Sequence, residues 1–214
     1  MHEPFANRHE AGVALGVAVA RLALVDPVVL ALPRGGVPVA AEVARALDAP
    51  LDLLLVRKIG APFEPELAVA AVVDAAGDDL VVDEALMHEL GMRMADVQAR
   101  AADERAEIER RRRCYLGSRA RVPLAGRTVV LVDDGIATGT TVRAALKGLR
   151  RSGAAALVLA VPVAPPDTVA SLRSEVDQLV CLRQPQPFRA VGVHYVDFHQ
   201  VPDAEVIALL DAAR

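Results

Sequence analysis

Residues 129–141 constrain the fold more than any other part of the chain. They read VVLVDDGIATGTT, which is an apolar run, two adjacent carboxylates and a segment rich in Gly and Thr. The apolar run, with its β-branched residues, is typical of a buried parallel strand. A helix is expected to begin near Thr140 or Thr141. The stretch therefore predicts a strand–loop–helix unit with both carboxylates where the strand ends.

The loop of this unit has the groups that a sugar phosphate needs. Backbone N–H groups of residues 137–141 are expected to point into one concavity at a helix N-terminus, where the helix dipole favours an anion. Gly139 lets the backbone approach closely, and the Thr hydroxyls add donors. Asp133 and Asp134 can accept hydrogen bonds from ribose hydroxyls. The alternative, an acidic turn with a Thr cap, does not explain the whole combination.

The stretch resembles the 5-phosphoribosyl-1-pyrophosphate (PRPP) motif of type I phosphoribosyltransferases: an apolar strand, two acidic residues and a loop ending Thr-Gly-x-Thr. The resemblance implies an α/β fold with a doubly wound, mainly parallel five-stranded sheet, a small hood subdomain and a helical insertion. It implies a single phosphoribosyltransferase domain over 1–214. The core is expected at about 25–182, a flap and the helical insertion at about 60–118, and the hood at about 1–24 and 183–214.

A second Gly-containing loop follows the first predicted core strand, residues 28–32. It reads PRGGVP from Pro33 to Pro38, and a helix is predicted over 37–48. Ligands of open α/β sheets bind outside the carboxyl ends of the strands, so this loop is a candidate anion site to which Arg34 adds positive charge. The loop resembles the pyrophosphate-binding loop of phosphoribosyltransferases. The alternative is an ordinary Gly-rich turn.

Two cations, Arg57 and Lys58, end the next predicted strand, residues 51–56. At that position they are expected to face the same edge of the sheet as Arg34 and Asp133. They look like the basic residue that several members of the family place against pyrophosphate. The alternative is a solvated charge pair.

An excursion is predicted between the second and third core strands, and in this fold class such a segment often forms a mobile flap. Residues 66–73 are ambiguous between helix and strand, 77–79 read as a turn, and 80–82 are expected to complete a hairpin. Residues 83–115 are helical and charged. The basic run Arg110–Arg113 is interpreted as a solvated helix face. A dimer contact, or a contact to PRPP in a neighbouring subunit, is the alternative.

The remaining segments complete the predicted fold. Residues 5–24 predict an amphipathic helix capped by Asn7, with Arg8 either on the surface or directed toward the site. Two further apolar strands alternate with helices, which argues for a doubly wound parallel sheet. Asp167 and Asp203 are expected to cap the last two helices.

The tail, residues 184–201, concentrates aromatic side chains that are scarce elsewhere. Phe188, Tyr195 and Phe198 are candidates for stacking on a planar acceptor, or for packing the small core of the hood itself. The tail is similar in character to the hood of base-salvage phosphoribosyltransferases, which places Asp197 among the candidate metal ligands.

The resemblance implies that a nitrogen of a small planar acceptor displaces pyrophosphate from C1 of PRPP through an oxocarbenium-like transition state. No covalent nucleophile is needed, so the protein positions the reactants and neutralises the leaving group, with Mg²⁺ as the expected cofactor. The implied catalytic residues are Lys58, Arg57 and Asp134. The implied metal ligands are Asp133, Asp134 and Asp197. The implied PRPP contacts are Arg34, Gly35, Gly36, Asp133, Asp134, Gly135, Ala137, Thr138, Gly139, Thr140 and Thr141.

Ala137 narrows the range of acceptor bases, because hypoxanthine–guanine enzymes usually have an acidic residue directly before the Thr-Gly. The pattern Asp-Asp-x-x-Ala-Thr-Gly looks more like the adenine, orotate and xanthine branches. The tail and the Pro-Arg-Gly-Gly loop together resemble an uncharacterised bacterial phosphoribosyltransferase group. The alternative function is a PRPP-binding regulator of the same fold without catalysis.

Composition argues against several other classes. The chain has 214 residues with a net charge of −4, so DNA is not an expected partner. Cys114 and Cys181 are expected to be reduced thiols. The apolar run 11–19 lacks a positive segment before it, and no stretch approaches the length of a transmembrane helix. We therefore expect a cytoplasmic protein with no membrane contact, and the family resemblance implies a homodimer.

Overall fold

The computed structural model describes residues 3–64, 67–75 and 78–213, without the side chains of Asp78 and Asp79. The strands in this part of the chain are β1 (Pro27–Ala31), β2 (Leu51–Leu53), β3 (Val56–Gly60), β4 (Ala68–Asp74), β5 (Asp78–Val82), β6 (Thr128–Val132), β7 (Ala156–Val163) and β8 (Gln178–Arg183). The helices are α1 (Arg8–Ala20), α2 (Gly36–Leu47), α3 (Glu84–Glu89), α4 (Met94–Leu116), α5 (Thr140–Leu149), α6 (Pro166–Leu172) and α7 (Asp203–Ala212).

Five of the described strands form one parallel sheet in the order β2-β1-β6-β7-β8. Strand β6, which precedes the two carboxylates, lies at the centre of the sheet. Its neighbour β1 ends in register with it, because Ala31 pairs with Val132. The segments that follow β1 and β6 therefore leave the sheet side by side at its carboxyl edge.

Alternate side chains of the central strands pack on opposite faces of this sheet, as the two-residue period of a strand requires. Val28 and Leu30 belong to a buried cluster with α5 and α6. Val29 and Ala31 belong to a second cluster with α1, α2 and α7. Helices thus cover both faces, and the doubly wound five-stranded parallel sheet expected from the sequence is confirmed.

A separate antiparallel sheet in the described residues has the order β3-β4-β5. The segment that was ambiguous between helix and strand is strand β4, and the hairpin with residues 80–82 is confirmed. The turn predicted at 77–79 lies partly outside the described residues, and β5 already begins at Asp78. Helices α3 and α4 pack against this sheet through a third apolar cluster.

The predicted position of Arg57 and Lys58 is wrong. The core strand β2 ends at Leu53, three residues before the predicted end, and the chain then crosses to the second sheet. Arg57 and Lys58 lie inside β3, where they pair with Val72 and Ala71 of β4. These two cations are therefore not at the end of a core strand.

The capping predictions have mixed outcomes. The Asn7 side chain accepts a hydrogen bond from the backbone N–H of Glu10 at 2.9 Å, so the predicted cap of α1 is confirmed. The predicted caps Asp167 and Asp203 are wrong. Both residues lie in the first turn of their helices, and the N-cap positions are held by Pro165 and Pro202.

The basic run on α4 divides into exposed and buried residues. Arg110 and Arg111 pair with Glu107 on the same helix, as a solvated face would. Arg112 is instead buried, and its guanidinium lies 3.0 Å from Asp74 of β4 and 3.4 Å from Asp52 of β2. The interpretation of the whole run as a solvated face is therefore wrong at this residue, which joins α4 to both sheets.

Among residues 3–64, 67–75 and 78–213, no helix combines the length and the apolar character needed to span a membrane.

Candidate functional site

The site begins where β1 and β6 end. The backbone N–H of Leu32 donates to the carbonyl of Val132 at 2.9 Å, so the two strands stay paired up to their last residues. The Pro-Arg-Gly-Gly loop continues from β1, and Asp133 and Asp134 continue from β6. The two motifs predicted to share one sheet edge are therefore adjacent.

Two glycines allow this close approach. A Cβ atom at Gly35 would lie 2.1 Å from Oδ2 of Asp134. A Cβ atom at Gly36 would lie 2.9 Å from the carbonyl oxygen of Val132 and 3.0 Å from Cα of Asp133. Neither space can hold a methyl group, so the Gly-Gly pair is needed to bring the loop against the acidic pair.

The two carboxylates have different partners. Oδ1 of Asp133 accepts the backbone N–H of Asp134 at 2.8 Å. Oδ2 of Asp134 accepts Nε–H of Arg8 at 2.8 Å, and the carbonyl of Asp134 accepts the hydroxyl of Tyr195. Arg8 belongs to the first turn of α1. The sequence left open whether its side chain lies on the surface or faces the site, and the structure places it at the site.

Burial changes the pKa values of both carboxylates. Burial, followed by the charge of Asp134, raises the pKa of Asp133 well above its usual range. Burial also raises the pKa of Asp134, while the hydrogen bond and positive charge of Arg8 oppose that rise. A cation beside Asp133 would stabilise its ionised form in the same way.

The Gly- and Thr-rich loop forms an open recess at the N-terminus of α5. Gly139 has φ +80°, a left-handed conformation that suits Gly, and it is the N-cap of the helix. Ala137 and Thr138 are exposed, and the recess is bordered by Asp133 and by Val191 of the tail. The predicted start of the helix at Thr140 is confirmed, so N–H groups of the loop and of the first helical turn are available to an anion.

A second recess opens on the other side of Asp133. It is lined by Arg8, Arg34, Gly35, both carboxylates and residues 198–201. The guanidinium of Arg34 lies 3.4 Å from the carboxylate of Asp203, which also accepts the hydroxyl of Tyr115 at 2.9 Å. Burial, then this hydrogen bond, raises the pKa of Tyr115 to about 12. Asp203 therefore links the loop after β1 to helix α4.

Arg57 and Lys58 do not line the recess with Arg34. Nε of Arg57 donates to Glu104 on α4 at 2.7 Å. Lys58 borders a small cavity with Thr140, Arg143 and Lys147, beside the first turn of α5. Lys58 thus lies on the side of the Thr-Gly loop rather than on that of the Pro-Arg-Gly-Gly loop.

The aromatic residues of the tail have different environments. Tyr195 is buried, with its ring centroid 5.7 Å from that of Phe5, and packs the hood as the alternative in the sequence analysis proposed. Phe188 is half-buried beside His194, at 5.2 Å between ring centroids. Phe198 stacks on Tyr195 and borders the recess with Arg34.

The carboxylate of Asp197 interacts with His199, two residues further along the chain. It accepts the backbone N–H of His199 at 3.1 Å and lies 3.0 Å from the ring nitrogen of the same residue. Asp197 is not among the residues that line the recess with Asp133. In the part of the chain that the structure describes, no group of three or more His, Cys, Asp and Glu side chains could hold a metal ion.

The donor set nevertheless fits a magnesium ion held jointly with a substrate. Mg²⁺ is usually bound through one or two carboxylates, several waters and phosphate oxygens of the substrate, rather than by a full protein cage. Asp133, at the border of both recesses, and the adjacent Asp134, at the border of the recess with Arg34, are donors of that kind.

Three residues of this arrangement are not predicted from the sequence. Val191 contacts the site so closely that its Cγ1 would lie 2.5 Å from a Cβ at Gly135. Asp203 was assigned to a helix cap, and Tyr115 had no assigned role. No local pattern marks these residues, because each reaches the site from a segment distant along the chain.

These features define a doubly wound α/β domain with two adjacent recesses at the carboxyl edge of its sheet, both bordered by Asp133. A model of the phosphoribosyl transferase domain matches residues 80–197. The chain belongs to the phosphoribosyltransferase family.

Individual relatives match nearly the whole of this chain. A Mycobacterium tuberculosis protein, provisionally named a phosphoribosyl transferase, is 46% identical over 212 residues, which are 98% of this chain and 47% of that protein. The chain thus spans about half the length of this relative. A Thermus thermophilus crystal structure is 42% identical, with a TM-score of 0.82 over 97% of both chains. A Neisseria gonorrhoeae structure with bound ppGpp is 12% identical, with a TM-score of 0.50 over 100% of both chains, and this likeness concerns the fold alone.

Proposed function

We propose that this protein transfers the 5-phosphoribosyl group of PRPP to a nitrogen of a nucleobase-like acceptor and releases pyrophosphate. The observation that supports this most strongly is the contact between the Gly35-Gly36 loop and the acidic pair. This contact leaves one anion recess on each side of Asp133. PRPP has a phosphate at one end of a ribose and a pyrophosphate at the other, so it matches two recesses separated by acceptors for ribose hydroxyls.

The 5-phosphate would bind in the recess of residues 135–142. Backbone N–H groups at the N-terminus of α5 would donate to the phosphate, with Thr138, Thr140 and Thr141 adding hydroxyl donors. Lys58, beside Thr140, would add positive charge at this end of the donor. These contacts hold the ribose in place while its C1 reacts.

The pyrophosphate would bind in the recess of Arg34. Gly35 would present its backbone N–H to the pyrophosphate without an obstructing side chain, whereas the N–H of Gly36 already donates to the carbonyl of Leu32. The guanidinium of Arg34 would leave Asp203 to neutralise the departing charge. The acidic pair would supply the carboxylate that holds Mg²⁺ together with oxygens of the donor. When bound, the ion would supply positive charge to pyrophosphate and help it to leave.

The acceptor would approach C1 from the hood. Val191 and the exposed part of Phe198 lie on the hood side of the two recesses, whereas Tyr195 is occupied with packing and with the carbonyl of Asp134. A planar base between these groups would meet apolar surface rather than charge, since the residue before Thr138 is Ala137.

A pyrophosphate-release assay tests the reaction. The protein is incubated with PRPP, Mg²⁺ and each member of a panel of adenine, xanthine, hypoxanthine, guanine, orotate, uracil and related bases, and pyrophosphate is measured. We expect release with at least one base, and none with an Asp133→Asn, Asp134→Asn double variant of matched size. If the protein binds PRPP but releases no pyrophosphate with any base of the panel, the catalytic proposal is contradicted.

PRPP binding without pyrophosphate release would favour the second candidate, a PRPP-binding regulator without catalysis. One observation favours it: Arg57 is paired with Glu104 and Lys58 lies beside the Thr-Gly loop, so neither is near the proposed pyrophosphate recess. The Lys58→Ala variant separates the roles of this side chain. If Lys58 binds the 5-phosphate, turnover and PRPP affinity should fall together, whereas a larger loss in turnover would indicate action on the leaving group.

A further inference from the structure

Arg8 is held by three groups around one carboxylate of the acidic pair. Its Nε donates to Oδ2 of Asp134 at 2.8 Å, and its Nη1 donates to the carbonyl of His199 at 2.8 Å. Its guanidinium carbon lies 3.9 Å from the centroid of the Phe198 ring. The Arg8 side chain is only 9% exposed, so this charge is fixed in place rather than solvated.

Asp134 has little space left for a hydrated cation. Arg8 occupies one side of Oδ2, and Gly35 approaches so closely that a Cβ there would lie 2.1 Å from the same atom and 3.2 Å from Oδ1. The carbonyl of Asp134 is also occupied, by the hydroxyl of Tyr195. Each of these contacts except that of Gly35 comes from the hood, so Asp134 joins the hood to the core sheet.

Asp133 has the opposite environment. Its Oδ1 accepts the N–H of Asp134, and no other hydrogen bond or ion pair to its carboxylate occurs within residues 3–64, 67–75 and 78–213. It borders both anion recesses, whereas Asp134 borders only the one with Arg34. Asp133 is therefore the carboxylate that lies between the two phosphate groups of a donor and has an oxygen still available.

We propose that Arg8 gives the two carboxylates different roles: it holds Asp134 as the anchor of the hood, and it leaves Asp133 as the carboxylate that takes the divalent cation of the donor. This inference rests on the proposed PRPP reaction. Arg8 is a positioning residue here, because it acts through Asp134 and its charge prevents the pair from binding a cation between both side chains in the absence of PRPP.

Binding measurements with Mn²⁺ as the probe test this inference. Calorimetry gives the affinity for PRPP with Mn²⁺ and with chelator, for the wild type, Asp133→Asn and Asp134→Asn, which preserve side-chain size. We expect Mn²⁺ to raise the PRPP affinity of the wild type at least tenfold. Asp133→Asn should lose this enhancement, and Asp134→Asn should keep it to within about threefold. Equal losses in both variants, or a larger loss in Asp134→Asn, would overturn the inference while leaving the proposed function intact.

The Arg8 variants test the same inference without PRPP. Arg8→Met leaves two neighbouring carboxylates without a cation, so its affinity for Mn²⁺ alone should rise at least tenfold, and Arg8→Lys should restore the wild-type value. Arg183→Met is the matched control, because Arg183 also lies over a hood aromatic ring, that of Phe5 at 3.5 Å. Unchanged Mn²⁺ affinity in Arg8→Met would contradict the role of Arg8. If the folded wild type binds no PRPP with Mn²⁺, the proposed function fails and this inference fails with it.

Discussion

Replacing Gly35 by Ala tests how closely the pyrophosphate-type loop approaches the acidic pair. The backbone at Gly35 has φ −58° and ψ −36°, which any residue adopts, so the substitution introduces no backbone strain. The added methyl group would lie 2.1 Å from Oδ2 and 2.7 Å from Cγ of Asp134, whereas ordinary contacts begin near 3.4 Å. The loop or the carboxylate must therefore move by about 1 Å, and a misplacement of that size in a binding site costs up to about 100-fold.

We expect Gly35→Ala to weaken PRPP binding by about 10- to 100-fold, measured by calorimetry with Mg²⁺. Gly117→Ala is a complementary control. A Cβ at Gly117 would have nothing within 4 Å, but its φ of +59° makes Ala unfavourable there. That variant should lose about 1 kcal/mol of stability and keep its PRPP affinity. If Gly35→Ala binds PRPP with an affinity within threefold of the wild type, the close approach of Gly35 to Asp134 does not shape the PRPP site.

Three further predictions concern stability and reactivity. Arg112→Met should lower the free energy of unfolding in urea by ~3 kcal/mol, because it removes a cation from buried carboxylates. Arg110→Met, on the exposed face, should cost far less than Arg112→Met, and equal losses would contradict the burial of Arg112. At pH 8 iodoacetamide should alkylate the exposed Cys114 about 100-fold faster than Cys181, whose pKa burial raises to about 11; comparable rates by peptide mass spectrometry would argue against that burial. Because the folded pKa of Asp133 exceeds the unfolded one, its protonated form stabilises the fold and this stability is lost as the pH rises through the folded pKa. Asp133→Asn should therefore raise Tm by a few degrees near pH 7 and leave it unchanged near pH 4, whereas a lower Tm at pH 7 would contradict the direction of the pKa shift.

The PRPP-type motif was predictable because all of its parts are contiguous. An apolar strand, a loop with Gly139 and a helix beginning at Thr140 follow one another within 13 residues, and local rules describe each part. The Asn7 cap is equally local. The meeting of the Gly35-Gly36 loop with the acidic pair followed from one topological rule, that parallel strands end at the same edge of a sheet.

The errors occur where the outcome depends on distant partners. Leu51 to Val56 is one run in sequence that is apolar except for Asp52, and nothing within it marks that the chain leaves the core sheet after Leu53. In sequence, Arg112 is flanked by the same types of residue as the other arginines of its run. It is buried because its face of α4 meets carboxylates 38 and 60 residues away along the chain.

The pairing of Arg8 with the acidic pair likewise spans 126 residues and has no local signal. The roles of Mg²⁺ and of a homodimer stay predictions, as does the identity of the acceptor.

A PRPP titration of the wild type and of the Asp133→Asn, Asp134→Asn double variant tests the central claim most directly. The claim is that one edge of the sheet holds both phosphate groups of PRPP, with the acidic pair on the ribose between them. Calorimetry with Mg²⁺ should show one saturable site per chain in the wild type, competed by pyrophosphate and by ribose 5-phosphate. The double variant should bind PRPP at least 100-fold more weakly while remaining folded, since it loses the charge-assisted hydrogen bonds of both carboxylates, each worth ~1.5–3 kcal/mol. An unchanged PRPP affinity in the double variant would contradict the claim.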